Sequence, residues 1–242
     1  MHINEKRMNN MENDKTRELL KDKSLFEINE LEFNILDTKA GKVFMMDNFY
    51  KNPDAIVKFI DSHDPPLWKV SPARRQRTFN GKCFEDKRLI LDISECEKNY
   101  WKVCDYLEKQ GIRCSPSDSL FLTNQTKFWD SEFNDYGKFY WWPHQDHGRM
   151  NGLVYLNKSS ESGTNLYSHV DGSNYVKPKR DEHEQPWDAK ESWNILHKVE
   201  SKFNRLVIFD GDVYHGMDIN SDEHFVERRL NQVFFLDKCT KA

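Results

Sequence analysis

From about residue 117 onward the chain is a series of short apolar runs broken by turn-forming residues, and this spacing constrains the fold more than anything else in the sequence. The runs are Leu120–Leu122, Phe139–Trp142, Leu153–Leu156, Asn165–Tyr167, Leu206–Phe209, Val213–Met217 and Leu230–Leu236. Each is too short to give a helix a buried stripe, and the interruptions come too often for alternating strand and helix units. The pattern predicts an all-β sandwich or barrel in this half. Leu206–Phe209 is apolar throughout, as expected of a strand buried on both faces.

The first half reads differently. Val43 to Tyr50 reads as a strand. Asn52-Pro53 is a helix start, with Asn as cap and Pro at the first helical position, and the helix is expected over Asp54 to Ser62, burying Ile56, Val57, Phe59 and Ile60. Pro65-Pro66 closes that region. A capping box at Ser94–Glu97 opens a second helix whose buried stripe is Tyr100, Val103, Cys104 and Leu107, with Gly111 as its stop. The expected fold class is mainly β with N-terminal helices (α+β). Residues 1–24 read as a polar tail and 25–242 as a single domain, with a helical part at about 43–116 and a β core at about 117–237. Gly172 to Asp188 reads as a long loop or lid.

Composition narrows the function classes. Aromatic residues make up 13% of the 242 residues, which argues for a packed core rather than disorder. A net charge of -4 argues against binding nucleic acid or anionic membranes through bulk charge. The five cysteines are odd in number and form no Cys-X-X-Cys pair, which fits a reducing compartment and neither a disulfide framework nor a structural zinc site. No apolar segment of about 18 residues occurs, so the expectation is a soluble, cytoplasmic protein that does not enter a membrane.

Three residues stand out as metal ligands. His144 and Asp146 lie two apart in "WWPHQDHGRMNGLVYLN", and in extended backbone such a pair shares a face. His215, in "NRLVIFDGDVYHGM", follows 69 residues after Asp146. Two imidazoles and one carboxylate make the facial triad of non-haem iron(II) oxygenases, which leaves positions open for a chelating 2-oxo acid and O₂. Arg229 opens the strand "RLNQVFFLD"; a guanidinium can pair bidentately with the far carboxylate of a dicarboxylate cosubstrate. Alternation places Asn231, Val233 and Phe235 on its face and Arg228 on the other. His147, His169, His183, His197 and His224 read as surface or internally satisfied histidines. Arg74-Arg75-Gln76-Arg77 and Asp181 to Glu184 read as solvated loops, Phe128, Trp129 and Trp141 as core or sheet-face residues, and Cys239 as an unpaired thiol. Trp142 reads in the same way, as a core or sheet-face residue, and its place just before His144 also makes it a candidate wall of the substrate pocket.

This order of elements resembles the 2-oxoglutarate/Fe(II)-dependent dioxygenase superfamily, and within it the prolyl-4-hydroxylase-like members, including small versions from phage and marine bacteria. The segments that carry the resemblance are "PHQD", "GLVYLN", "SGTNLY", "FNRLVIFDGDVYHG" and "RRLNQVFFL", with "DNFYKNPDAIVKF" at the entry to the domain. The resemblance implies a double-stranded β-helix (jelly roll), Fe(II) on His144, Asp146 and His215, and 2-oxoglutarate with its far carboxylate on Arg229. Tyr140, Asn124 and Thr164 are further candidates for contacting the cosubstrate; Ser162-Gly163-Thr164 stands where many relatives have Gly-Gly-Thr. The implied activity is hydroxylation of a C–H bond in a small-molecule or peptidyl substrate, with O₂ consumed and succinate and CO₂ released. The carboxylate ligand favours hydroxylation over halogenation. Two other readings fit parts of the pattern: a non-catalytic jelly-roll binding module and a cupin-like zinc hydrolase. Neither needs Arg229.

Overall fold

The computed structural model describes residues 25–62, 77–79, 82–91, 94–117, 121–128, 137–158, 162–172, 187–219 and 229–239. Among them are two α-helices, α1 (Pro53–Asp61) and α2 (Ser94–Lys109). The strands are β1 (Asn34–Thr38), β2 (Gly41–Met46), β3 (Arg77–Phe79), β4 (Lys82–Leu91), β5 (Cys114–Pro116), β6 (Phe121–Phe128), β7 (Phe139–Trp141), β8 (Arg149–Tyr155), β9 (Thr164–His169), β10 (Trp187–Ala189), β11 (Trp193–Val199), β12 (Leu206–Asp210), β13 (Tyr214–Met217) and β14 (Arg229–Lys238). The protein is thus mainly β with two helices, and its strand pairs are antiparallel. The larger sheet runs β1-β2-β12-β8-β14-β6-β4-β3, with β5 on β14. A smaller sheet runs β11-β9-β13, and β10 pairs with β7.

The larger sheet is covered on both faces, and its central strands show why they read as unbroken apolar runs. On β12, Leu206 and Ile208 belong to the cluster that contains the apolar residues of both helices: Ile56, Phe59 and Ile60 of α1, and Val103 and Leu107 of α2. Val207 and Phe209 belong to the second cluster, between the sheets, with Leu153, Tyr155, Leu166, Val199 and Val233. All four residues from Leu206 to Phe209 are buried, as the sequence predicts. β8 and β14 divide in the same way. Val154 and Phe234 face the helices; Leu153 and Val233 face the smaller sheet.

Both helices form where expected. Asn52 caps α1, its side chain accepting from Ala55 N at 3.3 Å, with Pro53 at the first helical position. The N-terminal half is less helical than its sequence implies. β1 and β2 extend the larger sheet beyond β12, and β3 and β4 extend it beyond β6. The strand expected over Val43 to Tyr50 ends at Met46 because Asn48 takes a left-handed conformation (φ 58) and turns the chain. β11 escaped prediction because its alternation is broken: the register against β9 shifts between Ile195 and His197. The tail 1–24, Pro65-Pro66, Arg74 to Gln76, Trp129, Asp181 to Glu184, His183, His224 and Arg228 lie outside the described residues. So does most of the Gly172 to Asp188 loop, and so do the side chains of Ser94, Arg77 and Phe128.

Candidate metal centre

The site forms where the end of β7 is drawn onto the turn between β12 and β13. Trp142 follows β7 in a left-handed conformation (φ 51), which is rare for a bulky residue and bends the chain immediately before the candidate ligands. His144 and His215 then exchange two backbone hydrogen bonds, at 3.0 and 2.8 Å, and Asp146 N donates to Gly211 O at 2.8 Å. Segment 144–146 is thereby fastened along 211–215. The fit is close at Gly211, where a Cβ would overlap the carbonyl of Asp146, so a side chain there would push the two segments apart.

The imidazoles are oriented by the chain itself. His144 Nδ1 lies 2.8 Å from Trp142 O and His215 Nδ1 lies 2.9 Å from Val213 O. A carbonyl can only accept, so each Nδ1 carries the proton and each Nε2 of a neutral ring presents a bare lone pair. Those atoms point at Asp146. Its Oδ2 is 3.2 Å from His215 Nε2 and 3.9 Å from His144 Nε2, and one ligand atom from each residue falls within 4.8 Å of the others. Bond lengths of about 2.1 Å would set two ligands at a right angle about 3 Å apart, close to the shorter of these separations. Three acceptors converging in this way repel one another unless a cation lies between them, and the group could hold a metal ion. Burial pushes the Asp146 carboxyl up. In the ring state that carries a proton on Nε2 in place of an ion, the His215 hydrogen bond, the charges of His144 and His215 and the Asn151 amide outweigh that and hold it well below the usual carboxylate range.

A second polar group lies deeper between the sheets. Arg229 is buried. It donates through Nη1 to Asn231 Oδ1 at 3.2 Å and through Nη2 to Gly163 O at 3.1 Å, with Thr164 Oγ1 at 3.5 Å. Its guanidinium lies 5.6 Å from the centre of the Tyr155 ring, whose hydroxyl shares a 2.7 Å hydrogen bond with Thr164. His215 pairs with Leu166, and Thr164 lies two residues away on the same face of β9, about 7 Å by strand rise.

The structure therefore brings His144, Asp146 and His215 together and sets Arg229 and Thr164 behind them. Asn231, Val233 and Phe235 share Arg229's face, opposite Tyr155, Leu153 and Asn151 of β8, as alternation predicts. Asn124 lies in register with Asn231, and its side chain is outside the described residues. Tyr140 is placed elsewhere. Its ring packs 4.9 Å from Tyr167, which pairs with Tyr214 and so faces away from the His215 side of the smaller sheet. The reason is the turn at Trp142: Tyr140 precedes it, and the chain reaches the site only afterwards. Trp142 is buried with its ring 6.4 Å from His144, beside the candidate ligands. His169 is satisfied internally, accepting from Asp171 N at 3.2 Å. His147 is an exposed residue beside Asp212. Sequence reasoning passed over Asn151 and Tyr155. Their signal was present: both are polar-tipped residues at inward positions of "NGLVYL".

A family model described as "Family of unknown function (DUF6445)" matches residues 134–231, the segment that holds His144, Asp146, His215 and Arg229. No curated protein matches the chain. Among solved structures, EvdMO1 is similar at 14% identity over 87% of this chain, with a TM-score of 0.45. The match takes in 56% of that protein, so this chain spans about half its length. AviO1 from Streptomyces viridochromogenes Tue57 is similar at 11% identity over 78% of this chain and 81% of its own, with a TM-score of 0.39. Among the described residues no helix is long and apolar enough to cross a membrane.

Proposed function

We propose that the protein is an Fe(II)- and 2-oxoglutarate-dependent dioxygenase that hydroxylates a C–H bond of a small-molecule or peptidyl substrate. One observation carries this reading. Two imidazoles, their Nδ1 protons tied to backbone carbonyls, face a carboxylate, and a buried guanidinium lies beside Thr164 on the strand that pairs with the His215 strand. A zinc hydrolase or a binding module has no use for that guanidinium. The sheet arrangement also supports the reading: a larger antiparallel sheet containing β6-β14-β8-β12 packs against the smaller β11-β9-β13, as two layers of a double-stranded β-helix would. Three buried thiols, Cys96, Cys104 and Cys114, support a reducing, cytoplasmic setting.

In this assignment His144, Asp146 and His215 would hold Fe(II), leaving room for ligands that are not protein. Iron with O₂ and 2-oxoglutarate supplies the oxidising power for C–H hydroxylation, with succinate and CO₂ as co-products. The chain's own part is binding and exclusion. Arg229 neutralises the far carboxylate of 2-oxoglutarate, with the Tyr155 and Thr164 hydroxyls beside it, at a depth where water competes poorly. Leu153, Leu166, Val207 and Phe209 line the space between the sheets and keep it apolar. The reading is tested by incubating the protein with Fe(II), O₂ and 2-oxoglutarate and following succinate. We expect iron-dependent succinate that disappears in Asp146→Ala. An Asp146→Ala protein that makes succinate at the wild-type rate would overturn the assignment.

A further inference from the structure

Asn151 is out of place for a residue with only a packing role. It is 2% exposed on β8, and Leu153 and Tyr155 follow it on the same inward face. Its Nδ2 lies 2.7 Å from Asp146 Oδ2 and 3.1 Å from His215 Nε2, the two ligand atoms nearest each other. The opposite amide orientation would set an oxygen against a carboxylate oxygen and an imidazole lone pair, so the network fixes Nδ2 on this side. Its Oδ1 is buried without a hydrogen-bond partner, beside Gly211. A leucine of nearly the same shape would bury no unsatisfied oxygen, so the amide is poorly explained by stability alone.

We infer that Asn151 is a positioning residue for the metal centre. It holds Asp146 and His215 in register before the ion arrives and keeps Asp146 Oδ2 turned toward the ion afterwards. The inference rests on the metal-centre reading above. His215 Nε2 has one lone pair, which serves either the amide or an ion. Asp146 Oδ2 has more than one and can serve both. Entry of the ion therefore breaks the Asn151–His215 hydrogen bond and spares the one to Asp146. The amide acts first as a stand-in for the cation and then as a fixed donor that stops the carboxylate from rotating. Partners of this kind, acting through a ligand, typically change metal affinity about 10- to 100-fold.

The test uses the full chain, freed of metal, with Mn(II) titrated calorimetrically and Co(II) followed by its visible absorption. Asn151→Ala removes the donor, and Asn151→Leu removes it while filling the same space. We expect both variants to bind Mn(II) about 10- to 100-fold more weakly, with an altered Co(II) spectrum, while the thermal midpoint of the metal-free Leu variant does not fall with the affinity. A Leu variant with wild-type Mn(II) affinity and an unchanged Co(II) spectrum overturns the inference and leaves the metal-centre reading standing. A wild-type protein that binds neither ion overturns both.

Discussion

Replacing Arg229 with glutamine tests the deeper half of the site without touching the ligands. The guanidinium is buried and already directed by Asn231, Gly163 and Thr164, so a dicarboxylate meets a donor that needs little reorganisation. Losing one partner of a buried, hydrogen-bonded charge pair costs about 2–5 kcal/mol. The Tyr155 and Thr164 hydroxyls remain in Arg229→Gln and soften the loss, which points to the lower part of that range. A loss of about 2–3 kcal/mol corresponds to about 30- to 150-fold weaker binding. The assay is calorimetric titration of 2-oxoglutarate into Mn(II)-loaded protein without O₂, after measuring Mn(II) affinity in the same variant. Mn(II) affinity should not change, because the guanidinium's hydrogen bonds to Asn231, Gly163 and Thr164 do not run through His144, Asp146 or His215. If Arg229→Gln binds 2-oxoglutarate within twofold of wild type, the guanidinium does not serve the cosubstrate and the proposed function loses its second support.

Two further expectations concern the scaffold. Asp47 accepts from Arg205 at 2.7 Å and from Lys202 at 2.6 Å, and these partners, Arg205 foremost, hold its carboxyl below the ordinary value of 3.8 against the opposing effect of burial. The stability this gives is present above the unfolded-state value and is lost as pH falls through the lower folded value. Asp47→Asn should therefore cost about 1 kcal/mol in urea unfolding at pH 7, with the deficit shrinking below about pH 4; an equal deficit at pH 7 and pH 3 would contradict this. Gly152 pairs with Phe234 across β8 and β14, and a Cβ there would enter the Phe234 ring, which is held by stacking on Tyr100 at 4.6 Å. Gly152→Ala should destabilise by about 1–3 kcal/mol, and Phe234→Leu in the same chain should recover part of it. An alanine variant as stable as wild type would show that the ring moves freely.

Much of the scaffold was legible because burial in this protein follows simple periods. The unbroken run Leu206–Phe209 announced a strand covered on both faces, and the two clusters that take its alternate residues bear that out. Asn52-Pro53 announced α1 through chemistry that no tertiary contact had to supply. The His144, Asp146 and His215 group, which could hold a metal ion, was legible for a similar reason, since residue type and order are written in the chain. What could not be read was the placement that a single dihedral decides. Tyr140 lies four residues before His144, close enough to look like part of the site, yet the left-handed Trp142 sends the two to different faces. Nor did the charged, interrupted sequences of β3, β4 and β11 mark them as strands, because strands at or next to a sheet edge, or with a register shift, need no apolar alternation. Asn151 was overlooked because its importance appears only when Asp146 and His215 are brought to it.

The same local device is used twice at the centre of the site. Each histidine is oriented by the carbonyl two residues before it, Trp142 for His144 and Val213 for His215, and the two residues are joined by reciprocal backbone hydrogen bonds. Their rings consequently face each other, 4.3 Å apart, although they come from segments distant in the chain. The two backbone carbonyls help determine where the Nε2 atoms point. The carboxylate is the exception. Asp146 N is anchored to Gly211 O, but its side chain could still turn, and Asn151 is the group in contact with it that opposes rotation. In a site built this way, affinity for an ion is expected to depend most on the carboxylate, whose orientation rests on a side chain rather than on the sheet.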